Sequence, residues 1–126
     1  MKVNGRNVKF KYTIWASIQI SKMCPEGKQE NIAKIFEGSD EEIVHNVNEF
    51  MLTLNKAYID AEKFANPDFD EKPLTLEELM VMDRKEYSQL QDEAIAAYYG
   101  DMKREITTEP VKTKGKKTDA PEEVKK

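Results

Sequence analysis

The chain has 126 residues, 35% of them charged, and a formal net charge of −4. That length allows one domain, and the acidic balance argues against a primary nucleic-acid binder, which needs net positive surface. A single cysteine, Cys24, excludes an intrachain disulfide.

The charge is unevenly spread. Residues 107–126 carry six lysines against four acids, while residues 1–106 carry 14 Lys and Arg against 20 acids, so an acidic body of −6 precedes a basic tail of +2. Removing the tail leaves about 100 residues, enough for a modest core. The N-terminus is polar and no apolar run approaches the ~18 residues of a membrane span, so neither a signal peptide nor a span is expected and the default location is the cytoplasm.

Residues 1–12 read as a β-hairpin. Asn4-Gly5 supplies the two positive-φ residues of a type I′ turn. Val8, Phe10 and Tyr12 then alternate with Asn7, Lys9 and Lys11, giving one apolar face that must lie on helices. Thr13 can cap a helix over Ile14 to Cys24, where Trp15 and Ile18 belong to an incomplete stripe. Pro25-Glu26-Gly27 stops it. A short helix over Gln29 to Glu37 points Ile32, Ile35 and Phe36 inward, and Gly38 suits its C′ position.

Asp40 to Ala65 is the stretch around which the rest is organised. Ile43, Val47, Phe50, Leu54, Ala57 and Ala61 recur at gaps of four and three, one face of an α-helix. Val44, Met51, Tyr58 and Ala65 widen that face. Ser39 or Asp40 caps it, and Glu41 and Glu42 suit its positive end. At ~1.5 Å per residue the helix is roughly 39 Å long. A body of ~100 residues, with R_g of ~13 Å, is narrower. Part of the apolar face is therefore expected to be offered to other copies or to a partner, with Val47, Phe50, Met51, Leu54 and Tyr58 as candidate contacts.

Asn66-Pro67 ends that helix. Thr75 and Glu78 form a capping box, with Leu74 stapled onto Leu79, and Asp83 and Glu86 repeat the box. Two helices are therefore predicted, 76–82 and 84–99. The second carries Tyr87, Leu90, Ala94 and Tyr98 inward and ends at Gly100. In the first, Met80 is expected inward and Met82 outward as an adaptable contact. Tyr98 and Tyr99 cannot share a face, so Tyr99 is a candidate rim or interface residue. An extended piece follows over 101–106. From Thr107 the chain is too poor in apolar residues to offset its entropy and is predicted disordered.

The fold class read from these elements is mainly α: a helical domain of about five helices over 1–106, with an N-terminal β-hairpin and a disordered Lys-rich tail over 107–126. Enzyme chemistry is not legible. His45 stands on the polar flank of the long helix with no second ligand at metal spacing. Cys24 has no partner base at a recognisable spacing and reads as an ordinary half-buried thiol. Asp68, Asp70 and Glu71 lack the central glycine of a calcium loop. Capping accounts for Glu77, Glu78, Asp83 and Glu86. No cofactor is called for. Lys112, Lys114, Lys116 and Lys117 have no aromatic among them, so base stacking is not expected.

The layout resembles the small tail assembly chaperones of long-tailed bacteriophages and prophages of Gram-positive hosts. Four stretches carry the resemblance: the hairpin running into a Thr-capped helix over Val3 to Lys22; the long helix with Phe50-Met51-Leu52-Thr53-Leu54-Asn55; Leu74-Thr75-Leu76-Glu77-Glu78-Leu79 followed by Glu86-Tyr87 and Leu90; and the Lys-rich tail after Gly100-Asp101-Met102-Lys103-Arg104. The resemblance implies a non-enzymatic protein that binds the tape measure protein before the tail tube protein polymerises around it. It also implies residence in the bacterial host cytoplasm, absence from the mature virion, and a longer form made by programmed frameshifting, with Lys116-Lys117 or Lys125-Lys126 as places to look. A homo-oligomer is compatible with this. The alternative is another small phage or mobile-element adaptor, associated with nucleic acid through its basic tail.

Overall fold

The computed structural model describes the backbone of residues 1–108 and the side chains of residues 1–100. The architecture is mainly helical, with an N-terminal two-stranded antiparallel hairpin. β1 (Lys2–Val3) pairs with β2 (Arg6–Asn7), Val3 opposite Arg6. Asn4 and Gly5 turn the chain with φ of 51° and 81°, as the Asn-Gly pair requires. The ladder closes on Met1, whose carbonyl accepts from the Val8 amide at 2.8 Å.

The strand does not run on to Tyr12 as the alternation suggested. Beyond Asn7 the backbone is claimed by the long helix instead. The Lys11 amide donates to the Leu54 carbonyl at 3.1 Å, and the Asn55 side-chain amide donates to the Lys9 carbonyl at 2.9 Å. The side chains keep the predicted alternation: Val8 is buried, and Phe10 and Tyr12 pack against the core.

α1 (Ile14–Met23) starts at Thr13, whose hydroxyl accepts from the Ala16 amide. Ala16 and Ile20 are its buried residues. The segment Gln29–Phe36 is a 3-10 helix rather than an α-helix. Its backbone is broken at Asn31, whose side chain donates to the Pro25 carbonyl at 3.0 Å and so ties the segment to the preceding turn. Ile32 and Ile35 still point inward.

α2 (Asp40–Ala65) has the predicted bounds and a complete capping box between Ser39 and Glu42. It is walled by α1, the 3-10 segment and the two helices that follow it in the chain. The Thr13–Trp15 end of α1 lies by Ala57 and Ala61, and its Met23 end by His45 and Asn46, so the two helices run antiparallel. α3 is Leu76–Met80, shorter than the predicted 76–82. Val81 leaves the helix so that the Asp83 side chain can accept from the Glu86 amide at 2.8 Å and cap α4.

α4 (Arg84–Thr108) runs past Gly100 and through the stretch predicted as extended. A lone glycine costs a helix only about 1 kcal/mol relative to alanine. The predicted disorder of the tail lies, for residues 109–126, outside the described residues; its first two, Thr107 and Thr108, are helical.

Candidate partner-binding surface

The core shows where a partner surface can and cannot be. Val47, Phe50, Met51 and Leu54 are at most 1% exposed. Phe50 stacks edge-on against Phe36 and Tyr98, with ring centroids 5.7 and 5.6 Å apart. These four were expected to be partly offered to other copies or to a partner; they are sealed within one chain instead. Length misled here. α2 is covered not by one neighbouring helix but by a wrap of the 9–11 segment, α1, the 3-10 segment, α3, α4 and the 66–74 loop, each supplying a short stretch of wall. Tyr58 is half-buried against Phe69. Tyr99 stays about half exposed, beside Tyr98, which is fully buried.

Three polar groups inside this wrap were invisible in the sequence. Gln29 Oε1 accepts from both Tyr12 Oη (2.6 Å) and Tyr98 Oη (2.8 Å). Its Nε2 donates to the Ser17 carbonyl and to the Ser17 and Ser21 hydroxyls. Burial raises the Tyr98 phenol well above its ordinary range. Asn55 accepts from the Leu74 amide at 2.7 Å while donating to Lys9, pinning two strands of chain to α2. Asn48 accepts from Tyr87 Oη at 2.6 Å. An i, i+7 asparagine pair on a predicted apolar flank was the available signal.

The exposed apolar side chains cluster elsewhere. On and after α3, Leu76, Met80 and Val81 are 50%, 62% and 84% exposed. Met80 was expected inward and Met82 outward; the two are exchanged, and Met82 packs against the core. With α3 only five residues long, Leu79 takes the inward position, which turns its neighbour Met80 outward. The Met80 sulfur rests against the Asn48 amide at 3.6 Å.

Met80 and Val44 are shared by two adjoining hollows. One, of about 480 Å³, is lined by Asp40, Glu41, Val44, His45, Asn48, Leu76 and Met80. The other, of about 290 Å³, is lined by Val44, Leu79, Met80, Met82, Arg84 and Tyr87. Together they form an apolar groove between α3 and the first half of α2, with acids at one end and Arg84 at the other. A second apolar surface lies on α1, where Ile14, Trp15 and Ile18 are 73%, 39% and 50% exposed.

His45, Asp40 and Glu41 share the first of the two hollows of the groove. His45 is exposed, as expected. It lines a wide polar cleft of about 860 Å³ with Glu37, Glu41 and Glu42, but Glu42 is engaged in the helix cap, which holds its carboxyl below the usual range. Cys24 is buried rather than half-buried, and burial pushes its thiol up, away from the reactive thiolate. Among the described residues no group of three or more His, Cys, Asp or Glu is placed to hold a metal ion, and no helix is long and apolar enough to cross a membrane.

Compared with known proteins, the chain matches no protein-family model, no curated protein and no solved structure.

Proposed function

We propose that this chain is a non-enzymatic binding protein that holds a helical segment of another protein in the α3 groove, acting as a tail assembly chaperone toward a tape measure protein in the bacterial cytoplasm. One observation carries the binding role. Leu76 and Met80 are exposed along a groove floored by Val44 and Leu79, a concave apolar surface on the body. Groove-and-helix docking suits such a surface, because apolar residues recurring every third or fourth position along a partner helix enter it in turn. A methionine at its centre adapts to irregular partners. The identity of the partner rests on the family resemblance of the four sequence stretches.

Copurification with the long helical protein encoded by the following gene tests this reading. The wild-type chain is expected to retain that protein, and Met80→Glu to lose it while keeping the wild-type melting temperature. Failure of the wild-type chain to retain it overturns the assignment.

A further inference from the structure

We infer that the α3 groove selects its partner helix by a pattern: one glutamine set among apolar anchors, with a lysine or arginine about two helical turns from it. This rests on the reading of the groove as a helix-holding site and adds which helix it holds. The starting point is Asn48. It is only 4% exposed, yet its side chain lines the first hollow of the groove. Its Oδ1 accepts from the Tyr87 hydroxyl at 2.6 Å, which fixes the amide and turns Nδ2 toward the groove. There, among the described residues, Nδ2 donates only to the Met80 sulfur, at 3.6 Å. A thioether is a weak acceptor, and an amide nitrogen has two hydrogens to place.

A wholly apolar helix laid over this hollow would seal the amide from water without an adequate acceptor, which costs free energy. A helix that brings a carbonyl oxygen to Nδ2 avoids that cost, so the groove discriminates between two equally apolar helices. The flexible Met80 side chain can swing aside to admit it. A carboxylate would meet Asp40 and Glu41, which line the same hollow. A glutamine offers a neutral carbonyl on a side chain long enough to pass Met80.

The rest of the pattern follows from spacing. Glu41, Val44 and Asn48 stand at i, i+3 and i+7, on one face of α2. Glu41 and Asn48 are thus about 10 Å apart along the helix at ~1.5 Å per residue. A partner helix lying along α2 places its cation and its glutamine the same distance apart, about seven positions. Between them its apolar side chains meet Val44 and the exposed walls Leu76 and Met80. Exposed Asp40 and Glu41 favour the cation and fix the direction of the helix. The chain's own tail does not carry the pattern, because residues 109–126 contain neither Gln nor Asn.

Fluorescence anisotropy with labelled, lactam-bridged helical peptides and the full chain tests the proposal. The reference peptide has leucines at every third or fourth position, a central glutamine and a lysine at the stated spacing from it. It is made with the lysine before and after the glutamine, and the tighter order is used. The wild type is expected to bind it about five- to tenfold more tightly than the same peptide with leucine at the centre, the worth of one hydrogen bond. Exchanging the lysine for glutamate is expected to weaken binding, and less so as salt is raised. Asn48→Asp keeps the acceptor for Tyr87 but replaces the donor with an acceptor. It is expected to prefer a lysine-centred peptide to the glutamine-centred one, the reverse of the wild type. Circular dichroism melting checks that this variant is folded; if it is not, the wild-type comparison decides alone. A leucine-centred peptide that binds as tightly, indifference to the lysine, or no reversal in folded Asn48→Asp overturns the pattern and leaves the groove a helix site. Binding of neither peptide, as when a second copy or the tail holds the groove, overturns both.

Discussion

Arg6 and Glu78 meet as a two-pronged ion pair across 72 positions of chain, with Arg6 Nη1 donating to Glu78 Oε2 at 2.6 Å and Nη2 to Oε1 at 2.5 Å. Asn4 adds a bond to the same carboxylate, and the Arg6 guanidinium also reaches the Lys72 and Pro73 carbonyls at 3.0 Å. Glu78 is at the same time the capping-box residue of α3. One carboxylate therefore fastens the hairpin to the helix that carries the exposed groove.

This pair predicts an acid-labile α3. The Arg6 hydrogen bonds hold the Glu78 carboxyl at about 2, against 4.5 for an unperturbed glutamate. A carboxyl depressed in the folded state contributes stability above its unfolded pKa and loses it as pH falls toward the folded one. Stability is expected to drop between about pH 4.5 and pH 2 by on the order of 2–3 kcal/mol, since each unit is worth ~1.4 kcal/mol. Glu78→Gln is expected to be destabilised at neutral pH and to show a flatter dependence in that window. Urea melts of both proteins across the range measure it; parallel curves would remove the ion pair from the account.

The Gln29 hub makes an independent prediction. Gln29→Leu removes the acceptor shared by Tyr12 and Tyr98 and the donor that serves Ser17 and Ser21. Leaving the buried Tyr98 hydroxyl and its half-buried neighbours without that partner is expected to cost about 1–3 kcal/mol, against about 1 for Tyr98→Phe, which leaves Gln29 bonded to Tyr12. The raised Tyr98 phenol adds a sign. Its folded form resists ionisation, so stability is retained below the ordinary tyrosine value of 10 and falls as pH rises above it. Tyr98→Phe is expected to lessen that alkaline loss, read as melting temperature between neutral and alkaline buffer.

Helix positions were legible where local chemistry is strong. Thr13, Ser39, Thr75 and Asp83 all cap as their neighbours require, because a cap involves groups only three residues apart. What could not be read was the non-local part. Gln29 is an unremarkable surface-type residue until Tyr98, 69 positions away, is folded onto it. The groove was half legible: the run Met80-Val81-Met82 had to expose something, but which residue depended on α3 stopping at Met80. The mistaken self-association face came from setting the length of α2 against the width of a body of about 100 residues, when short segments from along the whole chain cover its middle.

That correction separates two sets of substitutions. Phe50→Ala and Leu54→Ala remove fully enclosed side chains and are expected to cost about 3–5 and 2–5 kcal/mol respectively. Met80→Ala and Val81→Ser alter exposed side chains and are expected to stay within about 0.5 kcal/mol. Denaturant titration of the four variants ranks them. If the Met80 or Val81 change proves as damaging as the core pair, those side chains are enclosed and the groove is not a free surface.

The last prediction concerns the hinge into α2. Gly38 has φ of 120°, a conformation that side chains avoid, and a β-carbon placed there would lie 2.7 Å from Glu42 Oε1. That oxygen is the one accepting from the Ser39 amide in the capping box. Gly38→Ala therefore strains the backbone and displaces the cap together. The backbone strain costs about 1 kcal/mol, and loss of the Ser39–Glu42 carboxylate bond adds to it, while the Ser39 hydroxyl still accepts from the Glu42 amide. The double variant Gly38→Ala, Glu42→Ala discriminates the two contributions. Removing the Glu42 carboxylate relieves the clash, so the added loss from Gly38→Ala in that background is expected to fall to about 1 kcal/mol, the strain alone. Full additivity in the double-mutant cycle would mean that the clash with Glu42 contributes nothing.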